Sequence, residues 1–181
     1  MKKKSSILST LLQLTIMFII VLGLRRFLFT PVEVLGTSME PTYHETDRLW
    51  QTSLVTPKRF DVITFPSPRN NKRIIKRVIG LPGDTVRVEN DQLYINDTLY
   101  DEPYLDEFKN ELTDGQPLTI DFSLETIEED ATKTVPEGNY FVLGDNRRKT
   151  DDSRYFGFVD KEAILGVVYF RYYPLNKIGV L

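Results

Sequence analysis

Ile74-Ile75-Lys76-Arg77-Val78-Ile79-Gly80-Leu81-Pro82-Gly83-Asp84-Thr85-Val86-Arg87-Val88-Glu89 reads as strand, turn, strand. Its first part is rich in β-branched residues, Leu81-Pro82-Gly83-Asp84 is a turn signal, and Val86-Arg87-Val88-Glu89 alternates apolar and charged as a half-buried strand does. The same grammar continues outward. Runs dominated by Val, Ile, Tyr and Phe occupy residues 32–35, 48–50, 61–65, 92–95, 140–143 and 163–173, and Asn96-Asp97 is a further turn signal. Little helix is expected in this part of the chain. The predicted fold is mostly β: a bent, antiparallel, barrel-like β domain.

The N-terminal part obeys a different rule. Residues 6–24 (SILSTLLQLTIMFIIVLGL) are 19 positions without a formal charge, preceded by Lys2, Lys3 and Lys4 and ended by Arg25-Arg26. As a helix this stretch spans about 28 Å, near the thickness of a bilayer's hydrocarbon core. It is longer than the apolar part of a cleaved leader, and Arg-Arg-Phe-Leu-Phe follows it instead of a small-residue exit, so it reads as an uncleaved anchor. The three lysines put the N-terminus on the cytoplasmic side of a cell membrane. Residues 1–30 are then cytoplasmic tail and transmembrane anchor. Residues 31–181 are then expected to form an extracytoplasmic β-rich domain.

Composition removes several classes of function. The 181 residues carry 23 Lys+Arg against 26 Asp+Glu, a net charge of -3, which argues against a nucleic-acid partner. There is no cysteine, hence no disulfide framework, no thiolate metal site and no sulfur nucleophile of the sortase kind. The single histidine, His44, excludes a His-rich metal centre, and neither a cofactor nor a metal is expected. Residues 101–130 hold 11 acidic residues and one lysine, and read as a solvated excursion from the β domain.

Three segments carry the chemistry. Gly36-Thr37-Ser38-Met39-Glu40-Pro41-Thr42 offers a serine in a turn just beyond the anchor, where Gly36 supplies backbone freedom and Pro41 holds Glu40 extended. A serine hydroxyl is a weak nucleophile until a base removes its proton. The run around Lys76 supplies one: facing inward with Ile74, and leaving Arg77 outward, the amine is desolvated and its pKa falls. Gly144-Asp145-Asn146-Arg147, continuing through Thr150, Asp152, Ser153, Arg154 and Phe156-Gly157, supplies polar groups to fix backbone and orient an amine. Taken singly, each has a plain structural reading: a turn serine, a surface lysine on a strand, a loop ion pair. Their order along the chain is what joins them.

That order resembles the type I signal peptidases, membrane-anchored serine endopeptidases that cut signal peptides from exported preproteins. Ser-Met-x-Pro-Thr resembles the family's nucleophile segment. Lys-Arg-Phe-Asp-Val-Ile-Thr-Phe (58–65) resembles its next strand, Lys-Arg-Val-Ile-Gly-Leu-Pro-Gly-Asp (76–84) its general-base segment, and Gly-Asp-Asn-Arg with Asp-Ser-Arg-Tyr-Phe-Gly its last segment. The similarity spans essentially the whole chain and is greatest to members from Gram-positive bacteria. It implies Ser38 as nucleophile and Lys76 as general base. It implies Thr150, where the family often has Ser, as the hydroxyl that bonds the lysine amine, and Asp152, Ser153 and Arg154 as structural supports. Some members place a serine two residues before the nucleophile as an oxyanion donor; Gly36 stands there and leaves the Ser38 N–H plus a second donor from backbone or water. His44 matches no catalytic position. The implied substrates are preproteins with small residues at the first and third positions before the cut, with Val34, Leu35, Ile74 and Ile75 as candidate pocket walls. Membrane lipid and the export machinery are the implied partners. Two rivals are a Ser-Lys self-cleaving repressor-type protease, which lacks an anchor, and a non-catalytic membrane-tethered β module.

Overall fold

The computed structural model describes residues 2–28, 30–127 and 133–180. Helix α1 (Lys2–Leu28) contains a 19-residue stretch, Ile7–Arg25, long and apolar enough to cross a membrane, and no part of that stretch is covered by the rest of the chain. Twelve strands follow among the described residues: β1 (Thr30–Glu33), β2 (Arg48–Thr52), β3 (Val62–Pro66), β4 (Arg73–Gly80), β5 (Val86–Glu89), β6 (Gln92–Ile95), β7 (Thr98–Tyr100), β8 (Phe122–Ser123), β9 (Asn139–Leu143), β10 (Val159–Asp160), β11 (Gly166–Tyr173) and β12 (Gly179–Val180). Three short α-helices lie between them among the described residues, α2 (Asp106–Glu111), α3 (Leu124–Ile127) and α4 (Ser153–Phe156).

The mostly β, antiparallel architecture expected from the sequence is what forms, divided over two sheets. The larger runs β1-β2-β11-β3-β4-β9-β10, with β12 added to β11, and the smaller runs β7-β6-β5-β8. The hairpins of the smaller sheet turn on two-residue loops. Asn90-Asp91 joins Glu89 to its partner Gln92, and Asn96-Asp97 joins Ile95 to Thr98. All four loop residues have positive φ, the conformation of the hairpin turn that matches strand twist and that Asn and Asp tolerate.

Strand β4 is the hub. Ile75 packs under the turn holding Ser38 with Val34, Met39, Tyr43 and Leu49; Val78 packs with Ile63, Phe65 and Val142; Ile79 joins the core of the smaller sheet with Val86, Leu93 and Phe141. A strand that feeds three apolar clusters has no wet face. This corrects the expectation that Arg77 points outward: it is 8% exposed, capped by Asp145, by the Phe60 carbonyl and by the Tyr104 ring.

The acidic stretch also differs from its reading as a purely solvated excursion. Leu105, Leu118 and Leu124 are buried, Leu124 in the core of the smaller sheet, and Glu102 is buried in an ion pair. Glu128, Glu129 and Asp130 lie outside the described residues.

Candidate active site

Ser38 sits in the turn that follows β1. Met39 and Tyr43, both about 1% exposed, peg that turn into the core, and Tyr43 N–H donates to the Met39 carbonyl at 2.9 Å. From the other side Asn146 holds the turn by its backbone. Its N–H donates to the Ser38 carbonyl and its side-chain amide to the Thr37 carbonyl, each at 3.1 Å. The serine is thus fixed by two segments more than 100 positions apart. Its own N–H has no hydrogen-bond acceptor among the described residues.

Lys76 lies in mid-β4, directly opposite Ile63 of β3. It is 3% exposed, and its Nζ donates to Ser38 Oγ at 2.8 Å. Burial lowers its pKa from 10.5 to about 8, and the carboxylates of Asp152, Asp151 and Asp145 oppose that shift only in part. Arg77, its neighbour, donates from Nε and Nη2 to the fully buried Asp145 carboxylate at 2.8 and 2.6 Å.

The Gly-Asp-Asn-Arg loop is built from internal ties. Arg154 grips Asp152 with two bonds of 2.9 Å, and Asp152 accepts from Gly144 N–H at 3.1 Å. Ser153 Oγ accepts from Val142 N–H at 2.9 Å. Arg147, with no exposed side-chain surface, donates to the Gly144 carbonyl and pairs with Glu102 at 2.5 Å. Thr150 Oγ1 is buried here without a hydrogen-bond partner, so the expected bond to the lysine amine is not formed in this geometry. Gly36 has φ +77°, a conformation that side chains rarely adopt, and its N–H donates to Glu45 at 3.3 Å. Its place in the site is to bend the chain out of β1.

A cleft of about 260 Å³ opens beside Ser38, lined by Val32, Glu33, Val34, Leu35, Met39, Arg73, Ile74 and Ile75. All four residues named from the sequence as candidate walls are among them. The floor is apolar and small, fit for short side chains of an extended peptide.

Comparison with known proteins identifies the family. The model of the family described as signal peptidase, peptidase S26, matches residues 7–173. The chain belongs to the signal peptidase I family. The signal peptidase I of Bacillus licheniformis is 40% identical over 182 residues, 97% of this chain and 94% of that protein. That of Bacillus caldolyticus is 46% identical over 163 residues, 87% of each. The crystal structure of a signal peptidase I from Enterococcus faecalis V583 is 54% identical, with a TM-score of 0.61, and the match covers 64% of this chain and 98% of that one. The family is membrane-associated. Its members are serine endopeptidases that cleave signal peptides from preproteins, and so is this peptidase.

Close approach at Gly144 shows how tightly the peptidase packs its site. A Cβ there would lie 2.2 Å from Thr150 Oγ1 and 2.6 Å from the Ser38 carbonyl oxygen. Gly144→Ala therefore has to push the Ser38 backbone or Thr150 aside. Overpacking of this kind costs about 1–3 kcal/mol. We expect a lower unfolding midpoint together with a loss of preprotein cleavage larger than the stability change explains; parallel denaturation and cleavage assays check this, and a variant with unchanged cleavage contradicts it. Sequence reasoning left Asn146, Asp145, Arg77 and Glu102 without individual roles. Asn146 and Asp145 carried a signal as members of the Gly-Asp-Asn-Arg run and Arg77 as a member of the 76–84 segment, whereas Glu102 carried none.

Proposed function

We propose that Ser38 and Lys76 are the catalytic dyad of this signal peptidase. The observation that carries the reading is the 2.8 Å contact between a buried amine and a serine hydroxyl at the end of an apolar cleft. Ser38 Oγ attacks the carbonyl of the residue before the cut while neutral Lys76 takes its proton. The protonated amine then delivers that proton to the leaving amine, and a water deprotonated by Lys76 releases the acyl group. The unengaged Ser38 N–H is one donor to the tetrahedral oxygen, with the second from backbone or water in place of the side chain that Gly36 lacks. Thr150, its buried hydroxyl unspent, is a partner for Lys76 in the protonated state. Asp152, Ser153 and Arg154 hold the loop.

Residues 1–30 serve as cytoplasmic tail and anchor and residues 31–181 as the catalytic domain outside the cytoplasm. Ser38 follows Leu24 by only 14 positions, so the dyad works at the outer membrane surface, against lipid and beside the export machinery that delivers preproteins. Confinement there raises the effective concentration of the substrate.

The test uses the full chain in detergent and one preprotein with Ala at the first and third positions before the cut. The new N-terminus follows the alanine, and Ser38→Ala abolishes it. With an amine pKa of about 8, cleavage by kcat/KM rises through neutrality and levels off above pH 8; at pH 6 about one amine in a hundred is neutral, so the rate is roughly 100-fold below the plateau. Flat activity from pH 6 to 9 overturns the lysine base.

A further inference from the structure

Glu33 closes β1 and Arg73 opens β4, and both line the cleft beside Ser38. Both are exposed, and neither side chain has a hydrogen-bond or ion-pair partner among the described residues. Three arginines of the site are spent, Arg77 on Asp145, Arg147 on Glu102 and Arg154 on Asp152, and Arg48, opposite Glu33 in register, lies over the Tyr173 ring. One free anion and one free cation therefore stand in a cleft whose remaining wall is largely apolar.

The topology says where along a substrate they act. β1 is antiparallel to β2, β2 to β11, β11 to β3 and β3 to β4, so β1 and β4 run in the same direction, both toward the dyad. An extended peptide with its scissile carbonyl at Ser38 and its upstream residues in the cleft runs back between them. Arg73 precedes Lys76 by three residues, about 10 Å along a strand. The peptide residue level with Arg73 is then the fourth before the cut.

Resting on the Ser38–Lys76 dyad, we propose that Glu33 and Arg73 form a polar gate selecting a polar side chain at the fourth position before the cut. An apolar side chain there strips water from two unpaired charges and returns no hydrogen bond. An amide or hydroxyl side chain accepts from Arg73 or donates to Glu33. Since the apolar core of a signal peptide lies upstream of its cleavage site, the gate keeps that core from sliding into the cleft and so fixes the register of cutting.

The experiment uses the full chain in detergent micelles and preproteins that differ only in Gln, Leu, Asp or Lys at the fourth position. For the unsubstituted peptidase, kcat/KM for Gln exceeds that for Leu by about tenfold. In the double variant Glu33→Leu/Arg73→Leu that ratio falls to one or reverses. Glu33→Gln, which leaves Arg73 alone, makes Asp better than Lys by several-fold, and Arg73→Gln makes Lys better than Asp. Equal rates for Gln and Leu in the unsubstituted peptidase, or ratios that none of the variants moves, overturn the gate. Cleavage of the Gln substrate that survives Ser38→Ala sinks the dyad reading and the gate with it, whereas Ser38-dependent cleavage without selectivity sinks the gate alone.

Discussion

Lys76→Met is expected to destroy signal-peptide cleavage and to make the protein more stable at neutral pH. The first effect follows from the role proposed for the amine: a positioned general base is worth about 10²–10⁴-fold, and methionine fills similar space with nothing to take a proton. Lys76→Arg fails as well, because guanidinium stays protonated at any workable pH. The second effect follows from burial. The folded-state pKa of about 8 lies below the ordinary 10.5, so between those values the unfolded chain binds more protons than the folded one. This group's contribution to stability is therefore lowest below pH 8 and recovers as pH rises from 8 toward 10.5. The difference of 2.5 pH units corresponds to about 3 kcal/mol, the amount the methionine variant is freed from at pH 7. For a domain of this size that is a rise in Tm of roughly 6–12 °C. Thermal unfolding at pH 7 and again near pH 10 measures it, with the gap between the two proteins narrowing at the higher pH. A variant that is inactive and also less stable at pH 7 contradicts the claim that function is maintained at this lysine against stability.

What the sequence made legible, and what it did not, divides along a physical line. The hairpins and strands of β4 to β6 could be read because their signals are local: alternation in Val86-Arg87-Val88-Glu89, turn chemistry at Asn96-Asp97. Strand β11 was expected from residue 163 and begins at Gly166, because Lys161–Ala163 form a helical turn capped by the Asp160 side chain. Strands β8, β10 and β12, two residues each, leave no periodicity to detect and exist only through their neighbours. In the site, Ser38 and Lys76 stood out through segments whose order resembles a known family, and the fold places them 2.8 Å apart. Arg77 was misjudged because strand alternation predicts a wet face only when one face is wet, and β4 is covered on both. The Arg147–Glu102 pair joins residues 45 positions apart, and an ion pair at that separation has no local signature.

Asp145→Ala is expected to cost about 3–5 kcal/mol of stability and most of the activity. The carboxylate is fully buried and accepts from Arg77 Nε, Arg77 Nη2 and Thr42 Oγ1 at 2.8, 2.6 and 2.5 Å. Removing it strands the guanidinium of Arg77 in a nearly dry setting, and an uncompensated buried charge is far more costly than the loss of one bond. The three residues tied together belong to the three segments that build the site: Thr42 to the serine turn, Arg77 to the lysine strand, Asp145 to the loop whose next residue, Asn146, holds the Ser38 carbonyl. Loosening this knot frees Ser38 from Lys76 even where the fold survives. The electrostatic effect runs the other way at neutral pH: Asp145 raises the Lys76 pKa, so a variant that still cuts, such as Asp145→Asn, holds more of its amine neutral and shifts its pH–rate profile toward acid. Denaturant midpoints and pH profiles of the two variants, together with the double variant Arg77→Met/Asp145→Leu, separate the contributions. If the penalty is a stranded charge, the double variant recovers much of the stability lost by Asp145→Ala while staying deficient in cleavage. If it is no more stable than Asp145→Ala, the pair holds the centre of the site through shape rather than charge, and the stranded guanidinium is not the source of the loss.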